Sequence, residues 1–436
     1  MDETKSIKLT ETKLKRIAEA STRDPNMEFK WLMPHFNKES LKECFNSLDG
    51  RKATGVDGKT KDEYGIRLNE NLDDLIIRMK KLAYRPKPVR EVLIPKEGNK
   101  FRALGISVIE DKIVQSTTKK VLESIYEPIF RSCSYGFRPK RSCHMAIKEM
   151  HQYLYRNEVE AVIDVDLENF FGSIRHDMLL NLLKIKIKDD RFLRLIMRML
   201  KAGILAKGNF RVTEEGTPQG SLVSPVLANI VGHYVIDVWF MDVVKMHVKG
   251  PVELYRYADD MVICCRYAKD AERIKQALLK RLAKFSLKLN EEKTKVVSFS
   301  KSKMKHRKEK AGTFDFLGFT FVLGKSIKGI IIPKVITSRK RFTSKLKKVN
   351  QWLRENRCKA KMKPLWLKFC IKLNGHIQYY GVSYNRRPGR FIFLARKLFF
   401  KWMNRRSQLK SLNWDKFLQF LKQFPPPLAR VYHPLF

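Results

Sequence analysis

Four carboxylates sit where a strongly basic sequence has least reason to place them. Asp259 and Asp260 adjoin one another in "ELYRYADDMVICC" (253–265), between two short apolar runs. Asp164 and Asp166 fall in "VEAVIDVDLENFFGSI", a β-rich run entering a turn, and share one face because strand side chains alternate. An Asp pair at a turn is often only structural, since Asp bonds its own backbone and tolerates turn geometry. Set against a strand-borne Asp, the same pair offers different chemistry. Nucleotidyl transfer needs two divalent ions roughly 3.5–4 Å apart, one activating the attacking 3′-oxygen and one steadying the leaving pyrophosphate. Mg²⁺ takes hard oxygen ligands and keeps several waters, so carboxylates must hold it. Asp166, Asp259 and Asp260 are of the required type, each near the end or tip of an apolar strand. Without metal, crowding them raises a pKa rather than stabilising anything.

The elements that must position these residues follow from pattern. Residues 1–85 read mostly as helix, interrupted by the turn "ATGVDGKT", which Gly55 and Gly58 make a loop. Val89–Ile94 and Phe101–Ile106 read as two strands joined by a Glu97-Gly98-Asn99 turn. Ile113, Val114, Thr117, Val121, Leu122 and Ile125 recur at helical spacing, and helical patterns occupy 176–205. A Gly/Pro/Ser loop precedes a long apolar helix in "RVTEEGTPQGSLVSPVLANIVGHYVIDVW". The Asp259-Asp260 stretch reads as a hairpin with both carboxylates at its tip. A helix and a strand follow, and "TFDFLGFTF" supplies one strand more.

Lys and Arg number 89 against 45 acids, a formal net charge of +44 in 436 residues. Such an excess repels itself on folding and fits a polyanionic partner, nucleic acid above all. Residues 335–436 hold 25 Lys plus Arg against two acids, Glu355 and Asp415, and so carry +23 of the total. Phe342, Leu346, Val349 and Leu353 mark one face of a basic helix there. A domain boundary is expected between 322 and 336. Hydrophobic residues make up 44%, as in a globular chain. No apolar run reaches the ~18 residues that span a membrane. The start, "MDETKSIKLTETKLKR", lacks a signal-peptide core. Seven cysteines without a C-x-x-C pair suit a reducing cytosol, so a cytoplasmic location is expected. Cys143-His144 resembles half a metal site without a second half.

The carboxylate motifs resemble those of a known family. "YRYADDMVI" is similar to the Y-x-D-D box of reverse transcriptases, "DVDLENFF" to their first carboxylate motif, and "GTPQGSLVSPVLANI" to the segment between them. "REVLIPKEGNKFRALGI" and "SYGFRPKRSCHMAI" resemble the finger motifs of one branch, the proteins encoded by bacterial group II introns. "LKLNEEKTKVV", "FDFLGF", "LNGHIQYYG", "WMNRRS" and "PPPLARVYHPLF" continue in the same order, so the resemblance runs from about residue 50 to the end.

The resemblance implies an α+β right-hand polymerase. Its parts would be an N-terminal helical extension of the fingers (1–85), fingers (86–155), a palm with an antiparallel sheet and the YADD site (156–325), and a helical thumb or maturase domain (335–436). It implies Asp166 and Asp259 as ligands of two Mg²⁺ ions, with Asp260 supporting. Arg90, Lys96 and Arg102 match finger positions that grip the triphosphate, Gln219 and Gly220 the segment under the nascent base pair, and Lys293 a position near the pyrophosphate. Phe170-Phe171 matches an aromatic gate against the ribose 2′-hydroxyl, with Phe171 favoured and the register open. Arg405 and Arg406 are expected to contact RNA. The implied partners are intron RNA, an RNA template, a DNA primer and dNTPs; no DNA endonuclease domain is expected. The chain departs from the family at Gly172, where an Asp is frequent, and at "RALGIS" (102–107). Plainer readings compete: Phe170 and Phe171 as core aromatics, Arg90, Lys96 and Lys100 as charges guarding a strand edge. At the level of function, two readings compete with an intron-encoded polymerase that also assists splicing: a domesticated relative in defence or repair, and an RNA-binding maturase whose polymerase is silent.

Overall fold

The computed structural model describes residues 3–95, 101–206, 208–212, 214–218, 220–306, 309–406, 408 and 412–436, with side chains from residue 12 onward. Four helices open the chain: α1 (Glu3–Arg23), α2 (Lys38–Ser47), α3 (Lys61–Ile66) and α4 (Leu68–Lys80). Asn37 caps α2, and Thr60 with Glu63 forms a reciprocal capping box on α3. The loop between α2 and α3 docks closely, because a Cβ on Gly55 would lie 2.6 Å from Val108 Cα. Strands β1 (Val89–Pro95) and β2 (Phe101–Ile106) pair antiparallel as expected, and their connection lies outside the described residues.

Helices α5 (Ile109–Tyr126) and α6 (Cys143–Arg156) lead into β3 (Ala161–Asp166). The helical pattern expected over 176–205 ends earlier. It divides into α7 (His176–Lys184) and α8 (Asp190–Leu200), after which Gly203, at φ +81°, turns the chain into β4 (Ile204–Ala206) and β5 (Asn209–Arg211). These join the first ribbon in the order β2-β1-β4-β5.

The long apolar helix begins as α9 (Ser224–Gly232), passes through π-helical turns at His233–Asp237 and Phe240–Val244, and ends in α10 (Lys245–His247). By length and composition Ser224–His247 is apolar enough to cross a membrane, contrary to the sequence expectation, yet 67% of its apolar window is buried inside the protein. Strands β6 (Val252–Tyr257) and β7 (Asp260–Cys265) form the expected hairpin, followed by α11 (Ala268–Ala283), β8 (Lys295–Ser298) and α12 (Lys301–His306). The second sheet runs β6-β7-β3-β8.

Where one further strand was expected there are three: β9 (Phe314–Phe316), β10 (Phe319–Lys325) and β11 (Ile331–Thr337), in the order β11-β10-β9. The interval 322–336, expected to hold a domain boundary, therefore lies inside a hairpin paired from Phe319↔Thr337 to Lys325↔Ile331. Helices α13 (Arg339–Asn356), α14 (Met362–Tyr380), α15 (Arg387–Met403) and α16 (Trp414–Gln423) complete the chain.

Among the described residues, three cores hold these layers. Ile163, Val165, Met261 and Ile263 on one face of the second sheet pack with the N-terminal helices, α5 and α9. Val162, Val262 and Cys264 on its other face pack with α6 and the β9–β11 sheet. Trp366, Phe369, Phe399 and Phe417 centre a separate core among α13–α16. The division follows the period-2 alternation of β3 and β7, whose two faces are buried against different partners.

Candidate active site

The same alternation builds the site. Asp164 and Asp166 follow Val162 on one face of β3, and Asp260 precedes Val262 on the same face of β7. Register places Asp166 opposite Asp260, and Tyr257 of β6 opposite Asp260 on its other side. The hairpin turn is thus Ala258-Asp259, so Asp259 alone occupies the tip and Asp260 begins the outgoing strand. This corrects the expectation that both sit at the tip. Ala258 takes φ +59°, a left-handed conformation that costs a non-glycine residue about 1–2 kcal/mol.

The segment after α11 closes the site from the other side. Asn290 N–H donates to Asp166 O (2.9 Å), and Asp166 N–H donates to Thr294 Oγ1 (3.3 Å). Lys293, carried by the same turn, sets its ammonium 3.2 Å from Asp166 Oδ2. Partial burial pushes the Asp260 carboxyl up to about 6, reinforced by Asp259 and Asp166 and opposed by Arg341. Burial pushes Asp164 up to about 7, with Asp260, Asp315 and Asp166 adding to it and Lys295 opposing. Sequence reasoning did not single out Asp315 or Arg341; the "FDFLGF" motif held the first in plain view.

The other expected residues divide. Phe170 is buried, 2% exposed, and packs in the core. Phe171 is half-buried and meets Phe137 edge-on at 6.3 Å. The Asn169 amide lies over Gly172, where a Cβ would fall 2.3 Å from its nitrogen. Thr217 N–H donates to Phe171 O (2.8 Å), tying the Gly/Pro loop to this corner. Gly220, in that loop at φ +109°, approaches β2 so closely that a Cβ would lie 2.5 Å from Gly105 O. Gln219 and Lys96 lie outside the described residues.

Arg90 directs its guanidinium into Thr54 O (2.6 and 3.1 Å), so part of its donor set holds the α2–α3 loop rather than facing solvent. Arg102 is exposed on β2. Arg405 is exposed over the Trp402 ring, 5.6 Å from its centroid. Arg406 differs from the expectation for it: half-buried, it donates to Ala360 O (2.9 Å) and braces the α13–α14 connection.

Beneath the hairpin lies a buried cluster that sequence reasoning missed. Arg256 and Asp237 form an ion pair at 2.5 Å with both side chains fully buried. Arg256 stood in the quoted motif, but nothing local marked its partner.

Among the described residues, no three His, Cys, Asp or Glu side chains converge into a complete metal cage. The donor set nonetheless fits Mg²⁺, which takes one or two carboxylates and completes its shell with water and substrate phosphates. The raised Asp164 and Asp260 carboxyl groups point the same way, since the nearby cations offset the clustered negative charge only in part.

Residues 94–321 match the family model described as reverse transcriptase (RNA-dependent DNA polymerase). The chain belongs to the reverse transcriptase family. This reverse transcriptase is 37% identical to the Group II intron-encoded protein LtrA of Lactococcus lactis subsp. cremoris over 191 residues, 44% of the present chain and 32% of that protein. It is 35% identical to Protein YkfC of Escherichia coli over 225 residues, 50% of the chain and 59% of YkfC. It is 36% identical to an uncharacterized 91 kDa protein in the cob intron of Schizosaccharomyces pombe over 227 residues, 51% of the chain and 27% of that protein. The matched part thus spans between about a quarter and three-fifths of these relatives.

Proposed function

We propose that this reverse transcriptase is the protein of a group II intron, copying an RNA template into DNA from a primer 3′ end and assisting the splicing of its intron RNA. The observation that carries the polymerase reading is Asp166 facing Asp260 across the β3–β7 ladder, with Asp259 next in the adjoining turn. In this reading the β6-β7-β3-β8 sheet is the palm, the β2-β1-β4-β5 ribbon belongs to the fingers, and α13–α16 form the thumb and maturase domain.

Two Mg²⁺ ions held by Asp166 and Asp259 would supply activation of the primer 3′-oxygen and charge neutralisation at the leaving pyrophosphate. The chain's own residues do the rest by position. Asp260 adds negative charge beside the ligands. Lys293, on a turn bonded to the Asp166 backbone, stands where it can meet an incoming phosphate once Asp166 is otherwise engaged. Arg102, exposed on β2, faces the triphosphate from the ribbon. Phe171 closes on the sugar, and its edge contact with Phe137 holds the ring upright. The +23 of residues 335–436 serves backbone recognition of A-form RNA, which is read by shape and phosphate.

Mg²⁺-dependent primer extension on an RNA template tests the polymerase, with folded Asp259→Ala expected to be inactive. Substantial extension by that variant would sink the site assignment. The intron reading is tested by filter binding: equal affinity for a group II intron RNA and an unrelated structured RNA of similar length would remove it.

A further inference from the structure

We propose that the buried Arg256–Asp237 pair is a positioning device for the metal-binding turn, acting on Asp259 through the Ala258–Asp259 peptide. The inference rests on the polymerase reading above and adds to it two residues that contact no substrate.

Arg256 lies on β6, two residues before the turn, and is 0% exposed. A guanidinium has five N–H donors in a fixed fork, and here every one finds an acceptor. Nε and Nη2 reach the two oxygens of Asp237 at 2.7 and 2.5 Å. Nη2 also reaches Ser134 Oγ at 2.8 Å, and Nη1 reaches Asn229 Oδ1 and Ala258 O, both at 3.2 Å. The last of these grips the carbonyl of the very peptide that leads into Asp259.

A second grip holds the other side of Ala258. Gly136 abuts the turn so tightly that a Cβ there would lie 2.5 Å from Ala258 N. Asn229 Nδ2 donates to Gly136 O at 2.7 Å, which couples this contact to the Arg256 network. Gly232 leaves room for the guanidinium, since a Cβ at that position would lie 2.7 Å from Nη1. Asp237 sits in the first π-helical turn of the long helix, and π-bulges of this kind recur at functional sites. Both Asp237 oxygens are taken by Arg256, so this carboxylate serves orientation.

Stability alone gives no reason for the arrangement. Replacing a buried ion pair by apolar residues of similar volume is often neutral or stabilising. What the pair supplies is direction. It fixes the orientation of the peptide at a non-glycine residue held at φ +59°, and thereby the direction in which the next residue, Asp259, projects.

The test uses the full chain and the double variant Arg256→Leu/Asp237→Leu, which removes both charges together and leaves no lone buried ion. Single-nucleotide addition is measured across a Mg²⁺ titration, with template–primer Kd and thermal unfolding measured separately. The expected result is a rate lower by about 10–100-fold and a Mg²⁺ midpoint raised by about tenfold, at unchanged template–primer Kd. A wild-type rate and midpoint would overturn the proposal, as would a fall in rate with the midpoint unmoved, which is what a merely structural role produces. Should the double variant fail to fold, Asn229→Ala decides: it keeps the ion pair but loosens both grips on Ala258. A smaller shift of rate and midpoint in the same direction supports the proposal, and wild-type values overturn it. A wild-type chain that extends no primer at any Mg²⁺ concentration would instead remove the polymerase reading, and this inference with it.

Discussion

Asp166 stands directly opposite Asp260 across the β3–β7 ladder. Residues so placed have Cβ atoms about 4.5–5.5 Å apart, and like charges there are destabilising. The chain offsets the repulsion only in part, with Lys293 against Asp166 and Arg341 toward Asp260. A hairpin selected for stability alone would place a cation or an apolar residue opposite Asp166. The pair is intelligible as a bed for divalent cations, and its cost gives the first prediction.

Asp164 feels this crowding from within the same sheet face. Its carboxyl is pushed up from 3.8 to about 7, by burial first and then by Asp260, Asp315 and Asp166. A folded pKa above the unfolded one contributes stability that is complete below about pH 4 and lost as pH rises toward 7. Asp164→Asn mimics the neutral form at every pH. In Mg²⁺-free buffer it should remove part of the decline in melting temperature between pH 4 and 7 and melt above wild type at pH 8. Superimposable melting-temperature curves for the two proteins would show that Asp164 does not titrate as described.

The two adjacent phenylalanines should respond oppositely. Phe170, at 2% exposure, is core, and truncation to alanine should cost about 3–5 kcal/mol of stability. Phe171→Ala should fold normally and lower discrimination against ribonucleotides by about 10–100-fold, because a lost ring removes a steric contact. Competition between rNTP and dNTP in primer extension measures the second effect. If Phe170→Ala relaxes sugar choice while Phe171→Ala does not, the gate belongs to the other ring.

Gly220→Ala should impair activity without unfolding the chain. An alanine there meets Gly105 O at 2.5 Å and sits at φ +109°, so the loop must withdraw from β2. Strain of this kind costs about 1–3 kcal/mol, and the loop is one that the polymerase reading places under the base pair. The dNTP KM should rise and kcat fall, read by steady-state extension. Unaltered kinetics would mean the close approach to β2 is incidental.

Arg405 and Arg406 should part company under charge reversal. Arg405→Glu should weaken structured-RNA binding and reduce the slope of log K against log salt by about one, the contribution of one phosphate contact. Arg406→Glu should instead lower the melting temperature, since Arg406 bonds Ala360 O from a half-buried position. Filter binding over a salt series, beside thermal unfolding, separates them. Equal loss of RNA affinity at equal melting temperature would place both on the RNA surface.

Much of the site was legible in one dimension. Alternation alone put Asp164 and Asp166 on one face of a strand, and two apolar runs around Ala258-Asp259 foretold the β6–β7 hairpin, because both are local consequences of extended backbone geometry. The basic helix through Phe342, Leu346, Val349 and Leu353 was legible for the same reason, with Val349 and Leu353 indeed buried. The limits of local reading appear where two choices are locally equivalent. Phe170 and Phe171 are identical neighbours, and only the turn at Phe170–Gly172 decides which ring enters the core. "TFDFLGFTF" carried apolar bulk for one strand, while Gly318 at φ +81° reverses the chain and makes two. That β3 lies beside β7, with Asp166 facing Asp260, is a long-range pairing, decided by burying Ile163, Val165, Met261 and Ile263 in one core. Arg256 shows the division most sharply. Its place beside the carboxylate motif was written in the chain, but an arginine in a strand is ordinarily a surface residue. What buries it is a carboxylate from a distant helix that meets all its charge, and complementarity of that kind exists only once the chain has folded.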